Sequence, residues 1–372
     1  MIVHTAPLLP ERFQRRYVLL YLQGLWQLQL CRHMFSQLPD IEWVVCIEAD
    51  SATTLKLSET FAAPSNVTYI YHLHDVYLRL DVFSAVISTW AVPHRAHTRG
   101  ILLYSACAQL GIPVFELQHG LFQVGVNYQE RASIVGDGFY GAASALPVRN
   151  FHDKLLAWSG EGAIGYPGFF NLRAGKDAGY CLILSNMHWN IYGEIDQTLF
   201  FEGVLATVEA HPDIRFIWKP HPAEVSKRTA KYFKPASENA YANLVVMTNN
   251  VMAAQELTTE DLIRDCSYAI SSISTVLMEL EMYHKKVAVY APAVASGLWQ
   301  QLRTVSKFVY PGELLKLFPK LARKSSREGL FESGMLQPFS PVRLRQELMS
   351  LMPGHPPDKR DVARVIAPLL SK

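Results

Sequence analysis

The stretch Ile214-Arg215-Phe216-Ile217-Trp218-Lys219-Pro220-His221-Pro222-Ala223-Glu224 decides how the chain is read. Ile214–Trp218 is a short run of mostly apolar, β-favouring residues, and it ends on a lysine and a histidine set among prolines. A strand running straight into a stiff loop is the first half of a βαβ unit. Proline blocks helix continuation, so the loop holds Lys219 and His221 at the strand's end. The same alternation continues outward in both directions. Tyr180–Leu184 reads as a strand and Asp196–Ala210 as a helix before this stretch. After it come strands at Leu244–Met247, Tyr268–Ile270 and Lys286–Tyr290, with helices over Glu260–Asp265 and Thr275–Tyr283.

The N-terminal half repeats the pattern. Strands are expected at Trp43–Ile47, Val67–Tyr71, Ala85–Thr89, Val114–Leu117 and Lys154–Trp158. A helix over Thr98–Leu110 is closed by Gly111, the usual stop for a helix. Gly160, Gly162, Gly165, Pro167 and Gly168 form the best linker in the chain. The tail from Pro341 holds two helical segments broken at Pro353–Pro357. The reading is therefore α/β, two parallel-sheet domains in series: 1–168, 169–335, and C-terminal helices over 336–372 that cross back to the first domain.

Composition narrows the function classes. With 49% hydrophobic and 18% charged residues in 372, the chain has core material for two domains of roughly 100–200 residues each. Lys and Arg number 35 against 33 Asp and Glu, so nothing calls for a nucleic-acid partner. Cys31, Cys46, Cys107, Cys181 and Cys266 are an odd, scattered set, which points to buried thiols in a reducing, cytoplasmic compartment. No apolar run approaches the ~18–20 residues that span a bilayer. The aromatic and basic residues of Phe13–Trp26 allow two expectations: a membrane-surface contact, or an amphipathic helix packed on the first domain. No GxGxxG follows the first strand, as a dinucleotide fingerprint requires, and a Walker loop and a GxSxG elbow are missing. The pairs His72/His74 and His94/His97 lack further ligands for a metal.

Ligands of open α/β sheets bind beyond the carboxyl ends of the strands, and three segments place reactive residues there. In Glu116-Leu117-Gln118-His119-Gly120, the glycine lets the chain turn and leaves His119 at a strand end, where an imidazole can take a proton from a hydroxyl. Lys219 and His221, with Glu224 beyond them, suit a phosphate oxygen. Ser271-Ser272-Ile273-Ser274-Thr275 opens a helix with hydroxyls and free amides, a set equally suited to capping and to an anion. Glu279, one turn into that helix, is placed to accept from ribose hydroxyls.

In this order, an HG turn, a glycine-proline linker, a KPHP loop and a serine pair with a downstream Glu, the motifs resemble the GT-B glycosyltransferases of bacterial surface-polysaccharide synthesis. The CDP-glycerol glycerophosphotransferases and the capsule Kdo- and sialyltransferases are the relatives named by the resemblance, which spans Ala85 to Tyr290. It implies two Rossmann-like domains facing across a cleft. It implies His119 as catalytic base, His221, Ser271 and Ser272 as donor-phosphate contacts beside Lys219, and Glu279 as the ribose contact. Gln118, Gly120, Glu224, Ser274 and Thr275 would support them. Gln118 stands where the glycerophosphotransferases carry tryptophan, and Ser185–Trp189 offers no carboxylate nucleophile. The implied reaction is direct displacement from a CMP-, CDP- or UDP-linked donor, without a metal or other cofactor. The implied acceptor is an oligosaccharide or lipid-linked glycan, reached in the cytoplasm at the inner face of the membrane or in a polysaccharide assembly complex. An epimerase acting on a free nucleotide sugar and a non-catalytic scaffold subunit are the rival expectations.

Overall fold

The computed structural model describes residues 17–22, 24–47, 64–70, 72–89, 98–118, 153–158, 162–168, 175–188, 192–225, 241–272, 274, 276–290, 306–321, 337–353 and 357–370. These residues gather into two compact units: up to 118, 153–168 and 337–370 in the first, and 175–321 in the second.

The first unit carries strands β1 (Tyr17–Leu22), β2 (Glu42–Ile47), β3 (Val67–Ile70), β4 (Phe83–Ser88), β5 (Val114–Leu117) and β6 (Lys154–Leu156). Its helices are α1 (Leu25–Gln37), α2 (Leu73–Tyr77) and α3 (Thr98–Leu110). All strands are parallel, in the order β3-β2-β1-β4-β5-β6. The central strand β1 corrects the expectation of a helix or membrane contact over Phe13–Trp26. All six of its residues, YVLLYL, are buried. A strand covered on both faces reads as a continuous apolar run without alternation, and so it mimics a helix segment in sequence.

The second unit carries β7 (Tyr180–Ser185), β8 (Arg215–Pro220), β9 (Leu244–Val246), β10 (Tyr268–Ser271), β11 (Lys286–Tyr290) and β12 (Ser306–Phe308). Its helices are α4 (Glu194–Ala210), α5 (Pro222–Val225), α6 (Asn249–Ala254), α7 (Thr259–Asp265), α8 (Val276–Met282) and α9 (Pro311–Leu321). The order is β12-β11-β10-β7-β8-β9, again all parallel. Counted within each unit, both sheets have the doubly wound order 3-2-1-4-5-6, whose chain direction reverses between the first and fourth strands. The core of this unit is aromatic, with Phe200, Phe201, Trp218, Tyr290, Phe308 and Phe318 buried together.

The units share a local device as well as a topology. Asn66, just before β3, donates through Nδ2 to the carbonyls of Phe35, Leu38 and Ile41. Asn243, just before β9, does the same to Val208, His211 and Ile214. Each asparagine thereby ties the end of a helix and the start of the next strand to its own strand. The helix ends match, with Leu38 at φ −128°, ψ 66° and His211 at φ −132°, ψ 66°. Both are followed by Pro-Asp-Ile, at 39–41 and 212–214.

Helices α10 (Pro341–Leu351) and α11 (Lys359–Leu370) belong to the first unit. Val362 and Ile366, one turn apart on α11, are buried in its core with Leu103, Tyr104 and Cys107. On α10, Glu347 pairs with both Lys154 of β6 and Arg343. The glycine-rich segment read as a linker is itself packed. Tyr166 bridges to Pro338, and backbone bonds run from Tyr166 to Gln337 and from Ser340 to Ile164. Gly165 sits at φ +81°, and the Pro338 carbonyl lies where a side chain would go. All five cysteines are buried thiols, outside any disulfide, and no helix among the described residues is long and apolar enough to cross a membrane.

Candidate functional site

The second sheet reverses direction between β7 and β10, so its ligand crevice is expected at their carboxyl ends. The register puts Ser271, Leu184 and Lys219 in one row across β10, β7 and β8. Just beyond that row lies a small hollow, open to solvent. Leu184, Ser185, Asn186, Lys219, His221, Ser274 and Val276 line it. Three of these, Lys219, His221 and Ser274, are residues singled out from sequence.

His221 has a defined orientation. Its Nδ1 accepts the backbone N–H of Ala223 at 3.1 Å, which assigns the ring proton to Nε2 and makes that nitrogen a donor. The ring stacks on His188, centroids 4.2 Å apart and planes within 22°. The loop's own backbone is tied down too, since His221 N–H reaches the Ser185 carbonyl at 3.0 Å.

Glu224 is fully buried at the start of the short helix α5. Its carboxylate accepts from Ser185 Oγ (2.7 Å), Met187 N–H (2.5 Å) and His221 N–H (2.9 Å). Ser185 Oγ in turn accepts the indole N–H of Trp218 at 2.9 Å. Burial pushes the Glu224 carboxyl upward, opposed by those three donors and by Lys219. Burial lowers the Lys219 ammonium, opposed by Glu224 and Glu279. Glu279, on α8, is raised to about 7 by burial and by the charge of Glu260, with Lys219 pulling the other way. The Lys219 ammonium therefore sits within the field of two carboxyls, Glu224 and Glu279.

The remaining sequence candidates fall in three groups. Ser271 and Ser272 are fully buried, and their hydroxyls serve the sheet. Ser271 Oγ donates to the Ser272 carbonyl at 2.7 Å, and Ser272 Oγ accepts the Asn186 N–H at 2.8 Å. Gln118 braces the first sheet: its Oε1 accepts Trp158 N–H at 2.9 Å and its N–H reaches the Leu156 carbonyl. His119, Gly120 and Thr275 lie outside the described residues. Sequence reasoning missed Asn186 and His188. Both follow β7, and they count only because β7 lies between β8 and β10 in space. Asn186 is buried, and its Oδ1 has no hydrogen-bond partner among the described residues.

No family model matches the chain, and no curated protein matches it by sequence. Solved structures do. MnaA of S. aureus, in a co-structure with UDP, superposes with a TM-score of 0.53 at 11% identity, covering 92% of this chain and 100% of that one. The UDP-GlcNAc 2-epimerase of Methanocaldococcus jannaschii gives 0.53 at 11%, over 90% and 99%. A putative UDP-N-acetylglucosamine 2-epimerase of Listeria monocytogenes gives 0.51 at 11%, over 96% of each chain. The fold is GT-B. At such identity the likeness is one of architecture, with two doubly wound units of the same order along nearly the whole chain. Within that fold, the residues lining the hollow can give an anion a neutral imidazole donor, a hydroxyl and an ammonium, all on strand ends or the turns that follow them.

Proposed function

We propose that the chain is an enzyme acting on nucleotide-activated sugars, with the nucleotide's phosphate bound at the carboxyl ends of β7, β8 and β10. The observation that carries this reading is the convergence of Lys219, His221 and Ser274 on one hollow at the switch point of the second sheet. Nε2–H of His221 and the Lys219 ammonium meet the charge that grows on a leaving phosphate. Preorganised donors of this kind are worth about 3–4 kcal/mol each in a transition state. Ser274 supplies the hydroxyl, while Ser272 Oγ ties the end of β10 to the turn after β7. Glu279 accepts from the ribose hydroxyls. In the finer reading, His119 takes the proton of an acceptor hydroxyl as that oxygen displaces the nucleotide, and a sugar or polyol phosphate passes to a surface glycan in the cytoplasm.

A second reading has its own support. The three solved structures described above are UDP-GlcNAc 2-epimerases or carry UDP. In that case the substrate is a free nucleotide sugar, no acceptor takes part, and UDP is the first nucleotide to try among CMP, CDP and UDP. The test is to incubate the protein with UDP-, CDP- and CMP-activated sugars, with and without an oligosaccharide mixture, and follow products by phosphorus and proton NMR. Acceptor-dependent release of nucleotide supports transfer. Acceptor-independent conversion of the sugar supports epimerisation. Absence of both turnover and nucleotide binding refutes the enzyme reading and favours a scaffold subunit.

A further inference from the structure

We propose that Glu224 is a positioning residue, which holds His188 and His221 as one stacked pair with His221 facing the hollow. The inference rests on the nucleotide-binding reading for its functional consequence, but its geometry stands apart from it.

An ionisable carboxyl with no solvent exposure is costly to bury unless it is fully hydrogen-bonded, and well-packed apolar residues would fill the same space more cheaply. Glu224 takes three donors, and they come from three different places: the end of β7 (Ser185), the turn after it (Met187) and the loop after β8 (His221). Met187 is the residue before His188. One carboxylate therefore sets the backbone from which both imidazoles project, and the rings meet face to face at 4.2 Å. The carboxylate accepts His221 N–H inside the same turn in which Ala223 N–H reaches His221 Nδ1, so it acts on ring position and on ring tautomer together. Trp218, bonded to Ser185 Oγ, buttresses the same group from within β8.

The experiment uses the full chain labelled with ¹⁵N-histidine. Imidazole nitrogen spectra, assigned with H188A and H221A, are recorded for wild type, E224A, E224Q and E224D, and UDP affinity is measured by calorimetry. Wild type is expected to show His221 with its proton on Nε2. E224A is expected to average the two tautomers and to weaken UDP by about tenfold, the cost of buried donors left unpaired. E224Q keeps a carbonyl oxygen for Met187 N–H, and His221 N–H retains the Ser185 carbonyl, so it should stay within about threefold of wild type. A folded E224A with the wild-type imidazole spectrum and wild-type affinity overturns the proposal. Should E224A lack a cooperative melt, E224D decides: its shorter arm cannot span all three donors, and an unchanged spectrum again overturns the proposal. If wild type binds none of UDP, CDP and CMP, the nucleotide reading fails, while the spectra of E224A and E224D still decide the positioning role.

Discussion

His221 Nδ1 accepts the backbone N–H of Ala223 at 3.1 Å, and this bond puts the ring proton on Nε2. A phosphate oxygen is matched by a donor on that side. His221→Ala removes a hydrogen bond to a charged group, so nucleotide affinity should fall roughly 10- to 100-fold. His221→Gln, which can still donate an N–H, should lose less. Calorimetric titration with UDP, CDP and CMP checks both.

The raised carboxyl of Glu279 predicts a pH-dependent penalty. Its folded value of about 7 lies above the ordinary value of 4.5, so the unfolded chain gives up this proton first. The group favours folding below about pH 4.5, and that advantage is lost as pH rises through 7. Glu279→Gln should therefore melt close to wild type near pH 4.5 and clearly above it at pH 8. Thermal melts at the two pH values read the difference, and an equal shift at both would contradict it.

Asn66 and Asn243 each hold three carbonyls with one amide nitrogen. Replacing either by alanine leaves those carbonyls without their donor, and each change should cost about 1–3 kcal/mol. Denaturant unfolding of the two variants measures it. Near-equal losses would fit the matched geometry of the two units.

Gly165 and Gly111 separate two costs of a side chain. Both have positive φ, +81° and +68°. A Cβ on Gly165 would lie 2.1 Å from the Pro338 carbonyl, whereas nothing lies within 4 Å of one on Gly111. Gly111→Ala should pay only the backbone cost of about 1 kcal/mol. Gly165→Ala should cost more and loosen the segment that follows, which faster amide exchange over residues 337–351 would reveal.

Much of the fold can be read from the chain because parallel strands are short apolar runs with clear stops. Val114–Leu117 and Lys286–Tyr290 have the bounds expected, and the helix Thr98–Leu110 ends at Gly111 as its chemistry dictates. The exceptions have physical causes. Tyr17–Leu22 is apolar throughout and lacks the alternation that distinguishes a strand. Ser306–Phe308 is too short and polar to stand out, and its place is fixed only by pairing with β11. The matched Pro-Asp-Ile turns and asparagines were present in the sequence, but they are too few and too far apart to be seen without the hydrogen bonds they share.

The site was partly legible for the same reasons. The prolines around Lys219 and His221 mark a strand end, but β8 runs on to Pro220, so Lys219 lies within the strand and His221 in the turn beyond it. Among the hydroxyls of 271–275, sequence cannot say which one faces a ligand. Strand β10 runs one residue further than its apolar run, which buries Ser271 and Ser272, and Ser274 lines the hollow instead. Asn186 and His188 carry no pattern of their own; their position depends on which strands neighbour β7.

The most direct test of the account is UDP, CDP and CMP binding by the full chain, measured by calorimetry for wild type, Lys219→Ala and His221→Ala. The account predicts binding of at least one nucleotide by the wild type, and weaker binding in both variants. Absence of binding in folded wild-type protein, or binding untouched by both substitutions, would contradict a phosphate site at the ends of β7, β8 and β10.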